Sequence, residues 1–268
     1  MSTHDLTTST DDSHANERRF GGITRLYGEA QAQRFREAHI VVVGIGGVGS
    51  WVAEALARTG VGKLTLIDLD NVAVSNVNRQ VHALEGAFGK AKVTAMAERI
   101  RLINPLCQVH EIEDFLAQDN LDTLLLQHPF GRPDGIVDAI DQVRTKAALI
   151  HWCRKQKLPL VVAGGAGGKL DPTRLKAADL SQVIQDPLLA KVRTLLRREH
   201  GFAKGGTGKK MGVTCVYSEE PLQQPVADSC DVGSIDPSAG LNCAGYGSAM
   251  VVTATAGMML AAQILLRV

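Results

Sequence analysis

Residues 40–80 constrain the fold more than any other stretch: IVVVGIGGVGSWVAEALARTGVGKLTLIDLDNVAVSNVNRQ. Ile40 to Val43 is a short apolar β-branched run, the mark of a parallel strand buried on both faces. Gly44-Ile45-Gly46-Gly47-Val48-Gly49 follows at once. Then Trp51, Val52, Ala55 and Leu56 recur at helical spacing until Gly60 and Gly62 stop the helix. Lys63 to Asp70 predicts a second strand, ending in Asp68 and Asp70. Gly44 permits the tight turn, Gly46 lets the backbone approach a phosphate, and Gly49 lets helix pack on strand. The helix N-terminus offers N–H groups and a positive dipole end to an anion. Asp68 stands 24 residues after Gly44, where a carboxylate takes the ribose hydroxyls of an adenosine. The pattern indicates an adenine nucleotide without saying which. NAD(P) is its commonest ligand, and a glycine-rich turn with no ligand is the bland alternative.

The residues that follow argue against a dinucleotide. Asn71 to Gln80 supplies Asn76, Asn78, Arg79 and Gln80, and Lys92 lies near the start of the next expected helix, Lys90 to Ile103. An NAD site needs no cation just after its ribose acid, whereas a triphosphate would use one from each element. Gly135 to Asp141 predicts a strand ending in a carboxylate, with Arg144 and Lys146 at the following helix start. Asp141, at the C-terminal end of a parallel strand, suits Mg2+ on that triphosphate.

GIGGVGS, LIDLDNV, SNVNRQ, a lysine on the following helix and DAID occur here in that order. Over about Arg19 to Gly168 this resembles the ubiquitin-activating enzyme superfamily, including its bacterial ThiF, MoeB and HesA members, which use ATP to adenylate a carboxylate. The resemblance implies that Asp68 holds the ribose, that Asn76, Arg79 and Lys92 contact phosphates, and that Asp141 serves Mg2+. It also implies an Arg-Tyr-x-Arg-Gln-like entry near residue 20, from which an arginine reaches the ATP of the neighbouring subunit. Gly22 stands where that second arginine is expected, and Arg25 is the candidate replacement, against a plain surface arginine.

Net charge is +1 over 268 residues, so bulk charge names no partner and excludes a generally basic or acidic binder. The five cysteines, Cys107, Cys153, Cys215, Cys230 and Cys243, are odd in number and never spaced as C-x-x-C. This argues for a reducing, cytoplasmic compartment and against a disulfide framework or a structural zinc site, which the ThiF and MoeB branches usually carry. Cys230 and Cys243 are the cysteines that could be exposed and catalytic, although a small buried thiol is the commoner case. Residues 1–18 read as a disordered polar tail, and 19–268 as a single adenylating domain. Ala249 to Leu266 is long and apolar, but Thr253, Thr255, Gly257 and Gln263 favour a buried C-terminal helix over a membrane-facing one, so no stable membrane insertion is expected.

Strands expected at Gln108–Glu113 and Leu158–Ala163, and helices at Glu29–Ala38, Leu116–Leu126 and Val143–Gln156, continue the β-α-β alternation. The fold class is therefore α/β: a Rossmann-like, doubly wound, mainly parallel sheet with helices on both faces, then C-terminal antiparallel strands, including Met211–Ser218, and a C-terminal helix. Gly164 to Lys169 fails the phosphate-loop pattern because Ala163 and Leu170 occupy its key places. It reads as a turn beside the nucleotide whose carbonyls could hold a monovalent cation.

A crossover segment at about 186–211 carries Lys191, Arg193, Arg197, Arg198, Lys204, Lys209 and Lys210 against the single acid Glu199 in its basic core, a local net charge of +6. Ala190, Leu195 and Leu196 suggest an amphipathic helix, and residues 205–208 a loop. A cationic helix and loop suit phosphate backbones, with a solvated helix face as the alternative. The strings KVRTLLRREHGF, MGVTCVYSEEP, RFGGITRLYG and NCAGYGSAMVVTATAG resemble the group of tRNA threonylcarbamoyladenosine dehydratases over nearly the whole chain. That resemblance implies tRNA reading codons that begin with A as substrate, with the threonyl carboxylate as the activated group. It also brings cysteine desulfurase or sulfur-acceptor partners into view. A single glycine fingerprint implies a homodimer, since the superfamily works with two such domains. Activation of a ubiquitin-like sulfur carrier, or nucleotide-sensing RNA binding without catalysis, are the alternatives.

Overall fold

The computed structural model describes residues 7–127, 129–204, 208–223 and 246–268, with side chains from residue 17 onward. The strands are β1 (His39–Val43), β2 (Lys63–Ile67), β3 (Gln108–Ile112), β4 (Gly135–Asp138), β5 (Leu160–Ala163), β6 (Leu175–Asp179) and β7 (Thr214–Ser218). They form one sheet in the order β3-β2-β1-β4-β5-β7-β6. Every pairing is parallel except β6 with β7. The helices are α1 (Thr7–Tyr27), α2 (Glu29–Glu37), α3 (Gly49–Arg58), α4 (Lys92–Ile103), α5 (Leu121–Leu126), α6 (Val143–Gln156), α7 (Pro187–Glu199) and α8 (Met250–Leu265).

The two-residue alternation of β1 separates the layers. Ile40 and Val42 face a core shared with α3, α4 and α8, while Val41 and Val43 face one shared with α5 and α6. A third apolar cluster seats α7 on α6 and β7 through Leu189, Val192, Leu196, Ile150 and Tyr217. Chain order runs outward from β1 toward β3 and, on the other side, from β4 toward β7. The β1–β4 junction is therefore the topological switch point, and ligands of open α/β sheets bind there, at the carboxyl ends of the strands.

The structure departs from the sequence expectations at several places. The N-terminal stretch expected as a tail is helical from Thr7: it is polar, but has neither Pro nor Gly before Gly21. The helix expected from Leu116 begins only at Leu121, because the Asn120 side chain closes the preceding turn. Its Oδ1 accepts from the Ala117 N–H (2.8 Å) and its amide donates to the Phe115 carbonyl (2.9 Å). β4 ends at Asp138, so Asp141 sits three residues beyond the strand. β6, too little alternating to stand out in the sequence, pairs antiparallel with β7. β7 begins at Thr214 because the N–H groups of Met211 and Gly212 donate to the Asp179 carboxylate instead of to a strand.

α8 is a core helix, as its composition suggested. Val252, Leu260 and Ile264 are fully buried, and no described helix is long and apolar enough to cross a membrane.

Candidate nucleotide-binding site

At the switch point the glycines build a concave backbone. Gly44 has φ +86°, a left-handed conformation that L side chains rarely adopt, and its N–H donates to the Ile67 carbonyl. A Cβ on Gly49 would lie 1.7 Å from the Gly44 carbonyl oxygen, so α3 can start this close to β1 only with glycine there. A Cβ on Gly46 would meet no atom within 4 Å: its open side faces the cleft. No side chain caps the N-terminus of α3, but the Ser50 and Trp51 N–H groups already donate to the Gly46 and Val48 carbonyls, so an anion would be met by the N–H groups nearer the glycine loop.

Asp68 forms the next wall. Its Oδ2 accepts the Ile45 N–H at 2.6 Å and its Oδ1 the Asp70 N–H at 2.9 Å. The acid expected at a ribose is thus fixed to the glycine loop itself. Burial holds its carboxyl above the usual range, opposed chiefly by the Lys92 ammonium. Lys92 opens α4 with its side chain buried, and its Nζ lies 2.6 Å from Asp70 Oδ2 and 3.8 Å from Asp68 Oδ1. Asp70 is thereby the resting counter-ion of Lys92.

Arg79 is aimed from its backbone. The Trp51 indole N–H donates to the Arg79 carbonyl at 2.9 Å, and Arg79 Nη1 donates to the Ser75 carbonyl and to Asn78 Oδ1. A Cβ on Gly47 would lie 3.2 Å from Cγ and Cδ of Arg79, so Gly47 makes room for the stem of that side chain. Arg79 Nε and Gln80 Oε1 are buried with no hydrogen-bond partner among the described residues, and both residues line the cleft. Unpaired polar atoms in residues that line a cleft mark a place where a small side-chain shift would let a polar ligand complete them. Asn76 is buried beside them, its Oδ1 accepting the Ala73 N–H at 3.0 Å.

On the far side Asp141 lines the cleft. Behind it Asp138 Oδ1 accepts from Lys146 Nζ at 2.8 Å and from the Ile140 N–H at 3.2 Å, which sets the course of residues 139–141. Lys146, grouped by sequence with Arg144 as a helix-start cation, is instead wholly buried in this pair.

The resulting cleft holds about 550 Å³, in the range of small-molecule sites. Gly44, Gly46, Gly47, Asp68, Asp70, Asn76, Arg79, Gln80, Lys92 and Asp141 all line it, and Gly49 stands behind them. Residues 164–167 form its rim, as the turn reading anticipated. Sequence reasoning missed Phe115 and Leu116, from the loop after β3, and Ser248 and Thr253, from the start of α8. Thr253, a polar residue in an apolar helix, was the one available signal.

Arg25 does not line this cleft; it is exposed on α1, its guanidinium lying along Gly21 and Gly22 of the same helix. The basic segment is less free than its charge suggests. Arg193 Nη1 donates to the carbonyls of Leu180 (3.1 Å) and Val183 (2.8 Å), and Arg197 Nε to the Ala203 carbonyl (2.9 Å), so both guanidinium groups fasten backbone. Lys191, Arg198, Lys204, Lys209 and Lys210 are exposed, with Arg198 paired to Glu199 at 2.5 Å. Cys107, Cys153 and Cys215 are buried, and burial raises all three thiols, Cys107 to about 12, so none of them offers a ready thiolate. Cys230 and Cys243 lie outside the described residues.

The ThiF family profile matches residues 21–267. The tRNA threonylcarbamoyladenosine dehydratase of Escherichia coli K12 is 51% identical over 251 residues, 92% of each chain. The counterpart of the same name in Haemophilus influenzae is 47% identical, over 93% of this chain and 92% of that protein. A crystal structure of the E. coli dehydratase in complex with ATP superposes with a TM-score of 0.81 at 49% identity, covering 93% of both chains.

Proposed function

This chain belongs to the ThiF family, and on that footing we propose that it dehydrates threonylcarbamoyladenosine beside the tRNA anticodon, using ATP to adenylate the threonyl carboxylate. The reading rests chiefly on one observation. A chain half identical to a dehydratase whose structure holds ATP carries, at its own switch point, a cleft lined by a half-buried acid, by two cations and by residues with unpaired polar atoms.

The chemistry follows from what these residues can do. Asp68, held by the Ile45 N–H, orients the ribose, and the glycine loop and the start of α3 receive phosphate oxygens. A threonyl carboxylate oxygen attacks the α-phosphorus and pyrophosphate leaves. Charge grows on the bridging and non-bridging oxygens, where the Arg79 guanidinium and Lys92, by exchanging Asp70 for phosphate, neutralise it. Asp141 would hold Mg2+, which supplies further charge neutralisation at the phosphates. The acyl adenylate is then attacked by a nucleophile within the same modification. AMP leaves with the carboxylate oxygen, so the nucleoside loses one water in net terms and no enzyme cysteine is required.

The exposed side chains of the basic segment, Lys191, Arg198, Lys204, Lys209 and Lys210, hold the tRNA backbone. Arg25 does not line its own cleft, and its part would be to reach ATP in a second copy, as a homodimer would provide.

Nucleoside mass spectrometry tests the reading. The protein is incubated with Mg·ATP and tRNA bearing threonylcarbamoyladenosine, and the RNA is digested under mild neutral conditions. Loss of one water from that nucleoside, absent with Asp141→Ala, is the expected result. An unchanged nucleoside, with ATP–pyrophosphate exchange only when a protein ending in Gly-Gly is added, would replace it with sulfur-carrier activation.

A further inference from the structure

One carboxylate joins the two halves of the proposed machinery. Asp186 precedes α7 and is 4% exposed. Its Oδ1 accepts the Leu189 N–H at 2.9 Å, capping α7. Its Oδ2 accepts the Gly165 N–H at 2.8 Å, holding the glycine turn that rims the nucleotide cleft. The chain is shaped around this contact: a Cβ on Gly164 would stand 2.2 Å from Asp186 Oδ2. The other end of the turn is fastened at the same place. Lys169, 2% exposed, donates from Nζ to the Gln185 carbonyl at 3.0 Å and to the Glu220 carbonyl. Gln185 itself sits at φ +55°, a left-handed conformation costly for a residue with a side chain. Leu188, in the first turn of α7, lines the cleft. The turn is thus gripped at both ends by Gln185 and Asp186, the two residues that immediately precede the basic helix.

We propose that Asp186 is a positioning residue that couples ATP binding to RNA binding: tRNA held on α7 fixes the glycine turn in its ATP-binding form, and ATP in the cleft fixes α7. The inference rests on the reading of α7 as an RNA-binding element. Linkage makes the effect reciprocal, so each ligand tightens the other by the same factor. A carboxylate suits the task because it has two acceptor oxygens at fixed separation, one for each N–H. Asparagine and serine have one acceptor to offer in this geometry. They can cap the helix or hold the turn, but not both.

The test is a binding square on the full-length protein. The Kd of α,β-methylene-ATP with Mg2+ is measured with and without an unmodified tRNA transcript, so that no turnover occurs, and the Kd of the transcript is measured with and without the nucleotide. The wild-type ratio is expected to be about fivefold or more. Asp186→Asn and Asp186→Ser should each bring it to within about twofold of unity while both ligands still bind singly. A merely structural loss would weaken both arms and leave their ratio unchanged. Two variants guard against one failing to fold, with a thermal melt as the check. A wild-type ratio near unity with both ligands bound, or a wild-type ratio retained in both variants, overturns the proposal. Wild-type protein that binds the nucleotide but no tRNA would identify the RNA reading as the part that fails, and the coupling would fall with it.

Discussion

Asp138 and Lys146 form an ion pair of 2.8 Å in which neither side chain is exposed to solvent. It joins the last residue of β4 to α6 directly behind Asp141, and through the Ile140 N–H it sets the path of residues 139–141. Burial pushes the Asp138 carboxyl above the usual carboxylate range, and Lys146 opposes that. Removing one partner leaves an uncompensated charge or an unsatisfied acid. Lys146→Met should therefore cost about 3–5 kcal/mol in urea denaturation. The double variant Asp138→Asn, Lys146→Met should recover most of it. A single variant as stable as wild type would show that the pair does not hold the fold.

Two glycines of the loop should separate folding from binding. Gly49→Ala puts a Cβ 1.7 Å from the Gly44 carbonyl oxygen and should lose about 3 kcal/mol or more, the upper end of over-packing. Gly46→Ala adds a methyl where no atom lies within 4 Å. Its melting temperature should stay near wild type while the KM for ATP rises at least about tenfold, a loss of roughly 1.4 kcal/mol in binding. Equal melting temperatures for the two variants would contradict this division.

The basic segment divides in the same way. Arg193→Ala removes donors from the Leu180 and Val183 carbonyls and should destabilise the protein by about 1–3 kcal/mol, with the salt dependence of tRNA binding unchanged. The triple variant Lys191→Gln, Arg198→Gln, Lys210→Gln should leave stability within about 0.5 kcal/mol and lower the slope of log K against log salt by up to roughly three. Filter binding over a salt series, beside a thermal melt, reads both quantities. A flattened slope for Arg193→Ala would mean that its guanidinium leaves the carbonyls for RNA.

His82 is 2% exposed, and neither ring nitrogen has a partner among the described residues. Burial first, then the Lys92 and Arg99 cations, push it from 6.5 down to about 4. The unfolded chain takes up this proton near pH 6.5 and the folded chain only near 4, so between these values the unfolded state holds more protons. Stability present above pH 6.5 is lost as the pH falls toward 4, by on the order of 3 kcal/mol. Urea denaturation at pH 7.5 and pH 4.5 should show this difference shrinking in His82→Leu. An equally steep pH dependence in that variant would assign the effect to other groups.

Much of the site was legible because it is local. Strand, glycine loop, helix and second strand lie within some thirty residues, and the periods of two and 3.6 report which faces are buried. Asp68, Arg79, Lys92 and Asp141 could be named from type and spacing, and the structure brings them to one cleft. The bounds of α6, set by a long periodic segment, also stand as the sequence reads them. The polar first half of α1 was less legible, because polarity reports exposure and not the absence of a helix.

Residues 40–80 by themselves determined the turn, the switch-point end of the sheet and the acid and the arginine that face it, because backbone sterics and side-chain period act over a few residues. Only the tertiary structure decided how the other charged groups are used. Lys146 is a buried counter-ion, Arg193 and Arg197 fasten carbonyls, and Asp186 reaches back 21 residues to Gly165. The start of α8 is fixed over a far longer separation: Asn78 donates to the Ser248 carbonyl across 170 residues, and the Met250 N–H donates to the Asn78 carbonyl. A side chain's partner at such range depends on which elements pack together and which polar atoms are then shut away from water. Burial makes an unpaired polar group costly, and so selects the partner, only once the core has formed.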